Sequence, residues 1–104
     1  GRQLDGSRSP FDQISEIANA VGDDLDVILD GGIRRGSHVL KALASGAKAC
    51  SGGRMYLYAL AAGGQKGVQK ALGIMREEII RDMKLMGVSS INEINGSMLR
   101  RRIN

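Results

Sequence analysis

The sequence predicts an α/β fold made of βα units around parallel strands, and three observations predict it. Short apolar runs twice feed into a glycine turn and then a helical pattern. Val27-Ile28-Leu29 leads into Asp30-Gly31-Gly32-Ile33-Arg34-Arg35-Gly36, and the run from Ala47 leads into Gly52-Gly53-Arg54. Strand and helix patterns then alternate about once per 20–30 residues, as βα units would. Finally, two successive βα turns bearing Gly and Arg are the device with which a (β/α)8 barrel builds a phosphate site, after its seventh and eighth strands.

Gly1 to Ser7 is polar and glycine-bearing and reads as loop. Ser9-Pro10 is a helix start, with Ser at the cap and Pro at the first helical position. Phe11, Ile14, Ile17, Ala18 and Val21 then fall at helical spacing and predict a helix over 10–21, ended by Gly22 and Asp23-Asp24. Asp26 to Leu29 is a short buried strand. Ser37 to Ser45 is a second helix, capped by Ser37, with Val39, Leu40 and Leu43 apolar and Gly46 at its end.

Ala47 to Ser51 is the next strand and a poor one, because Lys48, Ser51 and Gly52 stand where a buried parallel strand favours Val or Ile. Met55 to Ala62 reads as a short apolar helix, broken by Gly63-Gly64. Gln65 to Met86 is the longest element. Val68, Leu72, Met75, Ile79, Met83 and Met86 form one apolar stripe, read as core, opposite Lys70, Arg76, Glu77, Arg81 and Lys84. Gly87 ends it. Ser90 and Glu93 make a capping box for a last turn, Ile91 to Ile94. The chain therefore divides into βα units over 1–94 and a tail over 95–104.

Composition narrows the partners. A chain of 104 residues suffices for one domain with a modest core. Its net charge of +4 gathers only at Arg100-Arg101-Arg102, which reads as a solvated tail. The aromatics are Phe11, Tyr56 and Tyr58 alone, too few for base stacking, so no nucleic-acid partner is expected. Cys50 is the single cysteine, which suits a reducing compartment, and its apolar setting predicts packing rather than reactivity. No stretch reaches the roughly 18 apolar residues of a membrane span. The chain has no initiator Met and opens inside a motif, as a cut chain would.

The glycine turns carry the chemistry. Gly31 and Gly32 allow positive φ or a close approach of backbone to ligand. The helix start that follows favours an anion, and Arg34 and Arg35 can fork onto phosphate oxygens. A Gly-Gly turn alone is a weak signal and is often only tight packing. The second turn, with Gly53-Arg54, is what raises the phosphate reading.

Four blocks now resemble a family. Gly1-Arg2-Gln3-Leu4-Asp5, Leu29-Asp30-Gly31-Gly32-Ile33-Arg34-Arg35-Gly36, Lys41-Ala42-Leu43-Ala44-Ser45-Gly46-Ala47 and Gly53-Arg54 run in the order of the FMN-dependent 2-hydroxy acid dehydrogenases and oxidases. The resemblance spans Gly1 to about Glu93. Ser51 and Gly52 depart from it, since the family's strand is usually apolar up to its Gly-Arg pair.

The resemblance implies a fold class of α/β type, the C-terminal part of a (β/α)8 TIM barrel, and not a complete barrel. It implies FMN as cofactor, its phosphate lying between the turns. Asp30, Gly31, Gly32 and Arg34 would serve from the first turn, and Gly53 and Arg54 from the second. Asp30 would accept from ribityl hydroxyls or orient Arg34. In the family motif His-Gly-Gly-Arg-Gln-Leu-Asp the arginine forks the substrate carboxylate, a role that falls on Arg2. The family's catalytic histidine would lie before Gly1, so the chain holds no catalytic residue of its own, and alone it is expected to be inactive. His38 follows the phosphate turn and is not expected to act in catalysis.

The expected partners are the remainder of the barrel, as an N-terminal chain or a second copy, and a lactate-like L-2-hydroxy acid. A homo-oligomer of the complete enzyme is also expected. The terminal Arg102-Ile103-Asn104 is no peroxisomal address, which leaves the cytoplasm or the periphery of an inner membrane. The alternative from another class is a non-catalytic half-barrel module that binds FMN or phosphate.

Overall fold

The computed structural model describes residues 3–102. Helix α1 spans Pro10–Val21, where the Ser-Pro start places it. Ser9 is extended, and its Oγ accepts the Asp12 N–H at 3.2 Å. Ile14 turns inward from α1 and is buried.

Strand β1 covers Ile28–Asp30 and strand β2 covers Ala49–Ser51. They pair in parallel, with Ile28 beside Ala49, Leu29 beside Cys50 and Asp30 beside Ser51. Both strands are shorter than the sequence predicts, and β1 is shifted. It runs on through Asp30 because the chain leaves β geometry only at Gly31, with φ 106°. β2 starts late because the Ala47 N–H closes the preceding helix onto Ala42 O at 3.1 Å. Consecutive parallel strands need a crossover between them. Helix α2, Gly36–Ala44, supplies it. It begins one residue earlier than expected. Arg35, not Ser37, is its cap residue, and no side chain of its own neighbourhood caps it.

The core lies on one face of this two-stranded sheet. Leu29 is buried with Ile14, Ile33, Ala42 and Ala47, and Phe11, Val39, Cys50 and Met75 pack around them. The other face is bare. Ile28 is 63% exposed, against the expectation of a buried strand, and Asp30, Ala49 and Ser51 are exposed beside it. Side chains alternate along a strand, so helices on one side can cover only every second residue. Parallel sheets normally bury both faces.

Helix α3 spans Arg54–Met86 and breaks where the glycine pair predicts. Gly63 (φ −152°, ψ 18°) and Gly64 (φ 57°, ψ −144°) are both non-helical. The long apolar stripe is only partly a core face. Met75, Ile79 and Met83 are half-buried, whereas Leu72 is 51% and Met86 44% exposed. Among the described residues of α3, the buried one is Glu78.

Beyond Gly87 the capping box forms, Glu93 Oε2 accepting the Ser90 N–H at 3.1 Å and the Ser89 N–H at 2.8 Å. These backbone donors hold the Glu93 carboxyl below its ordinary pKa. The stretch read as tail carries one more turn. Gly96–Met98 is a 3-10 helix capped by Asn95, and Met98 and Leu99 line a cleft with Leu40 and Leu85.

Candidate functional site

The strand register decides where the two glycine turns meet. Asp30 and Ser51 are paired, so both turns leave the same end of adjacent parallel strands. They are in contact. A Cβ on Gly52 would sit 3.4 Å from Ile33 O and 3.7 Å from Ile33 Cγ2. Gly31 and Gly32 have φ of 106° and 79°, the left-handed region that an L side chain enters only with strain. Pro10 closes one side, its Cγ lying 3.2 Å from where a Gly31 Cβ would stand. The other side is open, since a Cβ on Gly32 or Gly53 would meet nothing within 4 Å.

The start of α2 is not free for a ligand. Glu78 reaches it from α3, with Oε2 accepting the Gly36 N–H at 2.7 Å. The same carboxylate takes Arg35, through Nε at 2.8 Å and Nη2 at 2.6 Å. The hydrogen bond from Arg35, then that from Gly36, holds the Glu78 carboxyl below its ordinary pKa against the opposing effect of burial. Arg35 was expected to fork onto a phosphate; it forks onto Glu78 instead.

The start of α3 differs. Gly53 precedes it, no side chain caps it, and its first turn holds no acidic residue. Its first N–H groups thus lack intrahelical partners and favour an anion. Arg34 and Arg54 are exposed, and among the described residues neither is in an ion pair. Asp30 is exposed at the end of β1. The Arg34 N–H donates to His38 Nδ1 at 3.2 Å, so His38 uses one ring nitrogen to hold the first turn. The neutral ring then carries its proton on Nε2.

Arg2 lies outside the described residues. Cys50 is half-buried in the core, and burial pushes its thiol pKa up, away from reactivity. Among the described residues no cluster of three or more His, Cys, Asp or Glu could hold a metal. A cleft of about 800 Å³ opens at the amino ends of the strands, beside Val27 and Lys48. It is not the site favoured here. Ligands of open α/β sheets bind outside the carboxyl ends of the strands, which is where both glycine turns lie.

Comparison with known proteins decides the family. The family model described as FMN-dependent dehydrogenase matches residues 1–101. The chain belongs to the FMN-dependent dehydrogenase family. Among its relatives is the L-lactate dehydrogenase (cytochrome) of Saccharomyces cerevisiae, 46% identical over 104 residues, covering 95% of this chain and 18% of that protein. The human 2-hydroxyacid oxidase 1 is 45% identical over 100 residues, covering 96% of this chain and 27% of that protein. A solved flavocytochrome b2 variant with sulfite bound superposes with a TM-score of 0.91 at 46% identity, over 96% of this chain and 27% of that one. The chain thus spans about a quarter or less of these relatives. As a stretch of an FMN-dependent dehydrogenase, its two parallel strands and one-sided helices are consistent with a piece of a barrel.

Two residues of this FMN-dependent dehydrogenase chain escaped the sequence reading. Glu78 was one, although a signal existed. At about 100° per residue it lies about 60° from Met75, on the edge of the apolar stripe rather than opposite it. The other was Gly36, read as part of the first turn but not as a packing contact. A Cβ there would stand 2.6 Å from Glu78 Cβ and 2.7 Å from Ile79 N, so glycine is what lets α2 meet α3. Nothing local in the sequence marks that contact.

Proposed function

We propose that this chain supplies the FMN-phosphate site of a flavoenzyme oxidising an L-2-hydroxy acid, lactate-like, to the 2-oxo acid. The observation that carries this is the pairing of Asp30 with Ser51, which sets the two glycine turns side by side. The two turns then bring the N–H groups of Gly31, Gly32 and the α3 start together with Arg34 and Arg54, and a Cβ on Gly32 or Gly53 would meet nothing within 4 Å. That donor set suits a phosphate dianion. Asp30 is acceptor-only, and in this reading it takes ribityl hydroxyls or orients Arg34.

When bound, FMN would accept the electron pair taken from the substrate. This chain's residues would anchor the phosphate end, and so fix how far the flavin reaches over the strand ends. Arg2 is assigned the substrate carboxylate by the resemblance alone. The base, too, is assigned by the resemblance alone, to a segment other than these residues. The bare face at Ile28, Asp30, Ala49 and Ser51 supports a partner that continues the barrel, whether another segment or a second copy. The compartment we assign is the cytoplasm or the periphery of an inner membrane.

The test is an anaerobic mixing experiment on the protein with its barrel complete and FMN bound. Addition of L-lactate or glycolate is expected to bleach the oxidised flavin. FMN binding without bleaching by either acid would refute the oxidoreductase reading and leave a phosphate-binding module.

A further inference from the structure

The two turns carry three arginines and lead into two helix starts, and the first turn is built on two permissive glycines. An anion entering there would have several ways to sit. One buried group narrows the choice. Glu78 is 7% exposed, and it spends both oxygens on the first turn: one on Gly36 N–H, one on Arg35. We propose that Glu78 is a positioning residue for the phosphate site, fixing the first turn through Gly36 and holding Arg35 away from the anion. This rests on the function proposed above.

The physical argument has two parts. The carboxylate is an internal anion, so it satisfies the α2 start and neutralises one guanidinium before any ligand arrives. Among the described residues, the Arg34 and Arg54 guanidinium groups and the start of α3 remain uncommitted. The clamp also fixes the backbone beyond the glycine pair. Ile33 is buried, the Arg34 N–H is held by His38 Nδ1, and the Gly36 N–H is held by Glu78. With three successive anchors, Gly31 and Gly32 stop being a hinge, and their N–H groups stay aimed.

The readout is a ratio of affinities, FMN against riboflavin, which lacks the phosphate, measured on the full protein that contains this chain. Wild type is expected to prefer FMN. Glu78→Gln should lower that preference by about tenfold, the loss of roughly one charge-assisted hydrogen bond, with riboflavin affinity unchanged. Val88→Ala, a buried change ten residues beyond Glu78 and outside the core cluster that holds Ile33, lowers stability and should leave the ratio alone. Arg35→Lys alters an exposed side chain, keeps the charge and loses the fork; it should lower the ratio about threefold. This second variant serves if Glu78→Gln does not fold. An unchanged or raised ratio in either variant overturns the proposal, since an Arg35 freed to bind phosphate would raise it. So does an equal loss of both affinities. A wild type that binds FMN and riboflavin alike overturns the phosphate site itself, and this proposal with it.

Discussion

At Gly36 no side chain fits. A Cβ would fall 2.7 Å from the Ile79 amide nitrogen and 2.9 Å from Met75 O, both backbone atoms of α3 that cannot swing aside. Gly36→Ala should therefore cost on the order of 3 kcal/mol, read as a lower urea midpoint, because overpacking must be relieved by moving a helix. Gly6→Ala is the control: a Cβ there meets nothing within 4 Å, and its effect should stay within about 0.5 kcal/mol. Gly31 fails for a different reason. Its φ of 106° strains any L side chain, so Gly31→Ala should cost about 1–2 kcal/mol and disturb the first turn. At the ligand end, Arg34→Ala and Arg54→Ala should each weaken FMN by roughly ten- to a hundredfold while sparing riboflavin, checked by flavin fluorescence titration.

Among the elements, α2 shows what local sequence can and cannot say. Its apolar positions Val39 and Leu40 and its end at Gly46 were legible from period and punctuation. Its capping was not. Ser37 has the right chemistry, but the helix takes its cap from Glu78, 42 residues away. A contact of that range leaves no mark in local spacing. The strands were legible as strands because apolar runs stop at glycines. Their limits were not, since the Ala47 N–H goes to the end of α2 and not to the ladder.

The Glu78 clamp also predicts a pH dependence. Its carboxyl pKa is lowered by Arg35 and by the Gly36 N–H, so folding favours the ionised form. The stabilisation is fully present above the ordinary carboxylate value, about 4.3, and is lost as pH falls through the lowered folded value. Wild type should lead Glu78→Gln in urea midpoint at pH 7, and the lead should shrink at pH 3. Glu93, also lowered, is present in both proteins, so their difference isolates Glu78.

For the whole molecule, surface is the telling quantity. The chain exposes 8142 Å². A folded monomer of its 11.1 kDa would expose about 5,700 Å² by size scaling. The excess, roughly 2,400 Å² on this chain alone, exceeds the roughly 800 Å² that one partner gives to a standard interface. It is apolar in part, for Ile28 and Leu72 stand exposed on the sheet and on α3. The 104-residue chain by itself should therefore associate or bind a hydrophobic dye, and the segments that complete the barrel should abolish this; gel filtration with and without them is the check. The fold class was legible because the turns repeat at βα spacing. The bare face was not, since apolar residues in a strand do not say which side another segment covers.

The most direct measurement is the position of the phosphorus atom in a crystal of the completed protein with FMN bound. The account predicts it between the two turns, its oxygens within about 3 Å of N–H groups at Gly31, Gly32 or the α3 start and of the Arg34 and Arg54 guanidinium groups. A phosphate held at the amino ends of the strands, or gripped by Arg35 with Glu78 displaced, would contradict it.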